Sequence, residues 1–77
     1  MISIIIPTLN ESACIAAALG ALASLRERGA EIIVVDGGSS DETVTLAKAH
    51  GAIIITSTAG RARQQNAGAA AAHGDIL

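Results

Sequence analysis

The stretch EIIVVDGGSSDE, residues 31–42, decides the fold. It opens with a short run, Glu31–Val35, that is rich in β-branched apolar residues and does not alternate with polar ones. Such a run is typical of a strand buried on both faces, as in a parallel sheet. The glycines and serines that follow indicate a loop, and Ser39 and Glu42 have the spacing of a capping box. The stretch therefore predicts a strand, a polar loop and the start of a helix.

The same alternation extends to both ends of the chain. Two further strands are predicted at Ile2–Ile6 and Ala52–Thr56. A helix between the first two strands is indicated by apolar residues at helical spacing, which are Ile15, Leu19, Leu22 and Leu25. Another helix, largely alanine, is expected from about Arg61 to His73, and residues 75–77 begin a fourth strand that is cut off. The order β-α-β-α-β-α-β predicts an α/β fold with a parallel sheet and helices on both faces.

Composition limits the chain to one small domain, residues 1–77. Alanine accounts for 17 of the apolar residues and none is aromatic, so the core is thin. A net charge of −2, with no basic run and no aromatic side chain, disfavours binding to nucleic acid. The single Cys14 cannot form an internal disulfide, which favours a reducing, cytoplasmic location. The run Ile2–Ile6 is too short to cross a membrane and lacks the basic residues of a signal peptide.

The loop after the second strand is the first candidate binding loop, because parallel sheets bind ligands at the carboxyl ends of their strands. Gly37 allows a sharp turn and Ser39 offers a hydroxyl group. The carboxylate of Asp36 would accept hydrogen bonds from a ribose hydroxyl or from the imide N–H of uracil. The alternative is an Asx turn in which Asp36 only shapes its own loop. Asp41 is expected to assist the start of the next helix.

The loop after the first strand is the second candidate. Pro7 fixes the backbone dihedral φ and leaves Thr8 and Leu9 at the edge of the sheet, where a flat base could lie. Asn10 and Glu11 have ordinary structural interpretations as a helix N-cap and a favourable charge in the first helical turn. Taken alone, this loop does not distinguish a binding site from a helix start.

The third candidate is the segment after the third strand, where Arg61 and Arg63 fall in the first turn of a predicted helix. Cations at this end of a helix oppose its dipole. A phosphate nearby would remove the conflict, and such local exceptions concentrate at functional sites. The alternative is a solvated pair of arginines with no ligand. Asn66 follows within the same helix.

Three segments together resemble the nucleotide-binding half of a family 2 glycosyltransferase. They are Ser3–Glu11 (SIIIPTLNE), Ile33–Thr43 (IVVDGGSSDET) and Gly60–Gly68 (GRARQQNAG), in the order and spacing of that family. The combination of VVDGGS with GRARQ is similar to the subgroup associated with arsenosugar biosynthesis. The resemblance implies a GT-A fold, a Rossmann-like parallel sheet, and transfer of a sugar from a nucleoside diphosphate, usually UDP, to an acceptor.

The resemblance also implies which residues bind the nucleotide sugar. The first loop would contact the nucleoside, Asp36 the base or ribose, and the arginines would lie near the nucleotide. The expected substrate-binding residues are Pro7, Thr8, Leu9, Glu11, Asp36, Gly37, Ser39, Arg61, Arg63 and Asn66. One departure is that many members carry two consecutive acidic residues where this chain has Asp36 followed by Gly37.

In the family, a divalent cation, Mg or Mn, is held by an Asp-x-Asp motif just after the fourth strand, and the catalytic base lies further on. We therefore expect this chain to be an N-terminal fragment that contains neither metal ligands nor catalytic residues. On that interpretation the isolated chain does not transfer sugar. The alternative is a non-enzymatic module, left by gene truncation, that binds nucleotide or self-associates through its exposed sheet edge.

Overall fold

Four parallel strands form one sheet in the computed structural model, which describes residues 1–76. The elements, in chain order, are β1 (Ile2–Thr8), α1 (Ser12–Ala21), α2 (Ala23–Glu27), β2 (Glu31–Asp36), α3 (Thr43–Ala49), β3 (Ile53–Thr56), α4 (Arg61–Ala71) and β4 (Asp75–Ile76). The strand order is β3-β2-β1-β4, and every pairing is parallel. The predicted α/β fold is confirmed. The fourth strand begins where it was expected, and Leu77 lies outside the described residues.

The core is divided between the two faces of the sheet. On one face, Ile32 and Val34 of β2 pack with the apolar side chains of α1 and α3. On the other face, Ile33 and Val35 pack with Ile5 of β1 and against α4. Every residue of β2 after Glu31 is buried, which explains why its sequence does not alternate.

The third strand departs from the prediction of burial on both faces. Ile53 is 45% exposed, and no residue of β3 is fully buried. Among the described residues, β3 pairs only with β2 and therefore lies at an edge of the sheet. An apolar run thus predicted the strand correctly but not its position within the sheet.

Two helix boundaries also differ from the sequence prediction. The first apolar stripe forms two helices, α1 and α2, because the chain makes a tight turn at Leu22, whose N–H donates to Leu19 O at 3.1 Å. Helix α3 begins at Thr43, and the predicted capping box is not formed. The hydroxyl of Ser39 is bonded instead to Asp36, within the preceding loop.

Helix α4 lies directly on the sheet at Gly68, which is buried. A Cβ atom at this position would lie 2.4 Å from Ile5 Cγ2 and 3.0 Å from Val35 Cγ2. A glycine is therefore required for the helix to approach this closely. This approach places the start of α4, at Arg61, near the carboxyl ends of β1 and β2.

A hydrogen-bonded cluster joins β4 to the amino ends of β1 and β2. Glu31 Oε1 accepts from Ser3 Oγ at 2.9 Å and from His73 N at 2.8 Å, while Glu31 Oε2 lies 2.8 Å from His73 Nδ1. The buried Ser3 hydroxyl also accepts from Gly74 N at 2.9 Å. Hydrogen bonds from the backbone and the ring of His73 hold the pKa of Glu31 below its ordinary value.

We expect this cluster to make the fold acid-sensitive. The pKa of Glu31 is lower in the folded chain than in the unfolded one, so its stabilising contribution is present above the unfolded value, about 4.5. That contribution is lost as the pH falls through the folded value. Melting temperatures measured from pH 7 down to pH 2.5 should therefore fall less steeply for Glu31→Gln than for the wild type. Equal slopes for the two proteins would mean that Glu31 does not couple stability to pH.

None of the helices within residues 1–76 is long and apolar enough to span a bilayer.

Candidate functional site

The loops that follow β1 and β2 are joined to each other by hydrogen bonds. Asn10 N donates to Ser39 Oγ at 2.9 Å, and Asn10 Oδ1 accepts from Ser40 N at 2.8 Å. The next residue, Glu11, donates its N–H to Thr43 Oγ1 at 2.9 Å. Asn10 adopts a left-handed backbone conformation with φ of 52°, which asparagine tolerates better than most residues. The two loops thus form one continuous surface at the carboxyl edge of the sheet.

The free backbone N–H groups at the start of helix α1 donate to side chains that follow β2, and no side chain of the first loop caps the helix. Glu11 occupies the N-cap position and makes no side-chain capping bond. The backbone N–H groups of Glu11 and Ser12 donate to Thr43 Oγ1 and to Asp41 Oδ2, respectively. The interpretation of Asn10 as an N-cap, and of Glu11 as a first-turn charge, is therefore wrong. Their positions instead bring the first loop against the second.

Asp36 is buried beneath this joined surface, with 3% of its area exposed. Its Oδ2 accepts from Gly38 N at 3.0 Å and from Ser39 N at 2.8 Å. Its Oδ1 accepts from the hydroxyls of Ser39 and Thr8, the latter at 3.3 Å. Burial raises the pKa of Asp36, but the bonds from Ser39, Gly38 and Thr8 outweigh burial and hold that pKa below its ordinary value.

The structure therefore contains the Asx turn that was the alternative interpretation of Asp36. A carboxylate has about four acceptor positions, and four donors of the chain itself already occupy those of Asp36. In this arrangement Asp36 fixes Thr8 and Ser39, so its action on a ligand would pass through those two residues. Direct contact with a nucleoside would require one of the four donors to leave.

Asp41 has the structural role that the sequence suggested. Its Oδ1 accepts from the hydroxyl and from the backbone N–H of Thr43, the first residue of α3, the latter at 3.0 Å. Its Oδ2 accepts from Ser12 N at 3.2 Å. The bonds from Thr43, followed by those from Ser12, hold the pKa of Asp41 well below its ordinary value. The exposed Asp41 thus anchors the starts of two helices at once.

A cleft of about 290 Å³ opens between the first loop and the start of α4. Its lining residues are Pro7, Thr8, Leu9, Glu11, Gly60, Arg61 and Gln64. Five of these were predicted substrate-binding residues, so the fold brings together two segments that are about 50 residues apart in sequence. The cleft presents an exposed apolar side chain, Leu9, an exposed cation, Arg61, and an exposed carboxylate, Glu11. The leucine offers apolar surface to a flat ring, the arginine offers a positive charge to an anionic group, and the carboxylate can accept hydrogen bonds from hydroxyl groups.

The remaining predicted residues do not line this cleft. Asp36 and Ser39 lie in the loop network, and Gly37 donates its N–H to Thr8 O at 2.9 Å. Arg63 and Asn66 are exposed on α4. The structure thus divides the predicted set into residues that face the cleft and residues that support or border it.

Gln64 lines the cleft and was not predicted as a site residue. It is 5% exposed, and its Nε2 donates to Thr8 O at 2.9 Å and to Val35 O at 2.8 Å. Sequence offered only a weak signal, since a glutamine near a helix start is ordinarily solvated. Its importance depends on partners 56 and 29 residues away.

The described residues do not fit a metal ion. Across residues 1–76, His, Cys, Asp and Glu side chains form no group of three or more that could hold one. Asp36 and Asp41, in the loop after β2, instead accept hydrogen bonds from backbone and hydroxyl groups of the chain itself.

Comparison with known proteins identifies the family of this chain. A family model described as glycosyl transferase family 2 matches residues 3–77. The chain is 49% identical over 47 residues to the PGL/p-HBAD biosynthesis glycosyltransferases of Mycobacterium tuberculosis and Mycobacterium bovis. That match covers 61% of this chain and 18% of each relative.

Solved structures show the same fold over the whole chain. Glucosyl-3-phosphoglycerate synthase from Mycobacterium tuberculosis, in complex with Mn²⁺, UDP and glucosyl-3-phosphoglycerate, superposes with a TM-score of 0.88 at 29% identity. The same synthase in complex with phosphoglyceric acid gives a TM-score of 0.89 at 30% identity. These matches cover 100% and 99% of this chain but only 32% and 31% of the synthase chain. The chain therefore spans about a third of its structural relatives.

Proposed function

Because this chain belongs to glycosyl transferase family 2, we propose that residues 1–77 form the nucleoside-binding wall of a UDP-sugar-dependent glycosyltransferase. The observation that carries the proposal is the cleft in which Leu9, Glu11 and Arg61 meet at the carboxyl edge of a parallel sheet. This edge is where sheets of this kind bind nucleotides. Solved relatives of the same fold hold UDP or UDP-glucose, which supports uridine as the nucleoside.

The lining residues suggest how a nucleoside diphosphate would lie. The uracil ring would rest on the loop of Pro7, Thr8 and Leu9, where the exposed leucine offers apolar surface. The diphosphate would extend towards Arg61, whose charge then compensates an anion and no longer merely opposes the helix dipole. Asp36, Gly37 and Ser39 would act from beneath the wall by fixing the first loop. Arg63 and Asn66 would border the diphosphate from the exposed side of α4.

Sugar transfer itself requires more than this wall. We propose that residues 1–77 alone do not transfer sugar, since they correspond to about a third of the solved relatives. The synthase complexes contain Mn²⁺ and a phosphoglycerate acceptor. We propose that transfer also needs a divalent cation, held by residues other than 1–76. It also needs an acceptor, whose chemical structure is not assigned. Membership of the arsenosugar-associated subgroup stays a prediction.

We expect Arg61→Ala to weaken binding of UDP by about fivefold, equivalent to roughly 1 kcal/mol for an exposed ion pair. Binding of uridine should change by less than twofold, because only UDP carries phosphates. Isothermal titration of both ligands, in the presence and absence of Mg²⁺, measures the difference.

Arg28→Ala is the matched control for this experiment. It removes the same charge from the chain, but Arg28 lies beside Met1, Ile2 and Leu25, away from the nucleotide cleft. Its affinity for UDP should equal that of the wild type. Equal losses of UDP and uridine binding in Arg61→Ala would place the arginine away from the phosphates, and no binding by the wild type would contradict the proposed function.

A second candidate function, self-association, is favoured by the exposed apolar residues near β4. Met1, Ile2 and Ile76 are 61%, 42% and 50% exposed, and β4 pairs only with β1 among residues 1–76. We propose that an isolated chain pairs with a second copy along this edge. Sedimentation at increasing protein concentration would detect it.

A cytoplasmic location, inferred from the single Cys14, likewise stays a prediction.

A further inference from the structure

We propose that Gln64 is a positioning residue that sets the shape of the nucleotide cleft, a role that rests on the proposed function. Gln64 connects three parts of the cleft through one side chain. Its Nε2 binds the carbonyl oxygens of Thr8 and Val35, at the ends of β1 and β2. Its Oε1 accepts from Gly60 N at 3.2 Å, immediately before α4.

These bonds use almost the whole polar capacity of the side chain. The amide offers two N–H donors, and both strand carbonyls receive one at 2.8–2.9 Å. With only 5% of Gln64 exposed, water has little access to replace a lost bond. An ionised glutamate of the same length could not donate, lysine could not accept, and methionine offers no donor and only a weakly accepting sulfur.

The backbone approaches the side chain of Gln64 closely at Gly37. A Cβ atom on Gly37 would lie 3.1 Å from Cδ and 3.1 Å from Oε1 of Gln64, and 3.2 Å from Ala59 Cα. Gly37 is thus the point at which the second loop passes closely over the amide. The absence of a side chain there lets Gln64 reach both strand ends. This close fit fixes the position of Gly60 and Arg61 relative to Thr8.

The test compares Gln64→Met with the wild type in titrations with UDP and with uridine. Methionine keeps the length and neutrality of the side chain but removes all three bonds. We expect both ligands to bind about tenfold more weakly, and by the same factor, because the wall changes shape while the charge does not. This result would differ from Arg61→Ala, which should affect UDP selectively.

Two controls separate positioning from loss of stability. Gln65→Met changes the adjacent, half-buried glutamine, which does not line the cleft, and should bind both ligands as the wild type does. Ile32→Val removes a methyl group from the core on the other face of the sheet. It should lower the melting temperature without lowering affinity. Wild-type affinity in Gln64→Met, or an equal loss in Ile32→Val, would overturn the proposal.

A measurement without ligand distinguishes failure of this inference from failure of the proposed function. Amide hydrogen exchange at Gly60 should be at least tenfold faster in Gln64→Met than in the wild type, because its acceptor is lost. Unchanged exchange at Gly60 would overturn the positioning role directly. Faster exchange combined with no UDP binding by the wild type would instead refute the proposed function and leave Gln64 as the residue that fixes the start of α4.

Discussion

Replacing Gly68 with alanine is expected to destabilise the domain by roughly 1–3 kcal/mol, the usual cost of inserting a methyl group into a packed core. Alanine would favour the helix by about 1 kcal/mol relative to glycine. The clash should outweigh this gain, because the new Cβ would lie 2.4 Å from Ile5 Cγ2. Ile5 and Val35 are buried in the sheet, so they have little room to move. In a domain of this size, each kcal/mol lost should lower the melting temperature by about 4–8 °C.

Gly20→Ala is the matched control for this substitution. Gly20 also lies within a helix, α1, but a Cβ atom added there would have no neighbour within 4 Å. Only the helix propensity changes at this site, so Gly20→Ala should stabilise the domain by about 0.5–1 kcal/mol. Urea denaturation followed by circular dichroism measures both variants. A Gly68→Ala variant as stable as the wild type would show that α4 does not pack on the sheet as described.

Asp36→Ala is expected to weaken UDP binding by about tenfold or more, and by more than Asp41→Ala does. The substitution leaves the N–H groups of Gly38 and Ser39 and the hydroxyl of Thr8 without their buried acceptor. Leaving the buried Thr8 hydroxyl unsatisfied costs about 1–3 kcal/mol, and the part-buried N–H groups of Gly38 and Ser39 lose the acceptor that holds them, so the loop is expected to rearrange. Ser39 would then no longer hold Asn10, and the first loop, which forms one side of the cleft, would move.

Asp41→Ala is the comparison because it removes the same charge from the same loop. Asp41 is exposed, so water can replace its bonds to Thr43 and Ser12. Its effect on UDP affinity should stay within about threefold. Both variants are titrated at a temperature where circular dichroism shows them folded. Equal losses of UDP affinity in Asp36→Ala and Asp41→Ala would contradict the proposal that Asp36 organises the nucleoside-binding wall.

Sequence alone predicted the framework of the fold because its signals are local. The unbroken run in β2 indicated burial on both faces, and the helix-length stretches between strands indicated a parallel sheet. The break between α1 and α2 was missed because it depends on a tight turn at Leu22. The late start of α3 was missed because it depends on a side-chain hydrogen bond that competes with the capping box. Ser39 has the spacing of a capping residue, but Asp36, three residues earlier, takes its hydroxyl.

The candidate site was predicted as a set of loops, and its connections were not. Pro7, Leu9 and Arg61 were correctly assigned to one edge of the sheet. The bonds that join these loops link residues about 30 or more positions apart, such as Asn10 with Ser40. Gln64 was not predicted for the same reason, because its hydrogen-bond partners are distant in sequence. The sequence does not distinguish a glutamine that becomes buried from one that stays solvated.

The most direct measurement is a titration of the isotopically labelled chain with UDP, followed by the chemical shifts of its backbone amides. We expect saturable shifts at Leu9, Glu11 and Arg61, which line the cleft at the carboxyl edge of the sheet. Gly29 and Ala30, which line the cavity at the opposite edge, should not respond. Shifts confined to that opposite edge, or none that saturate, would contradict the assignment of this cleft as a nucleotide-binding wall.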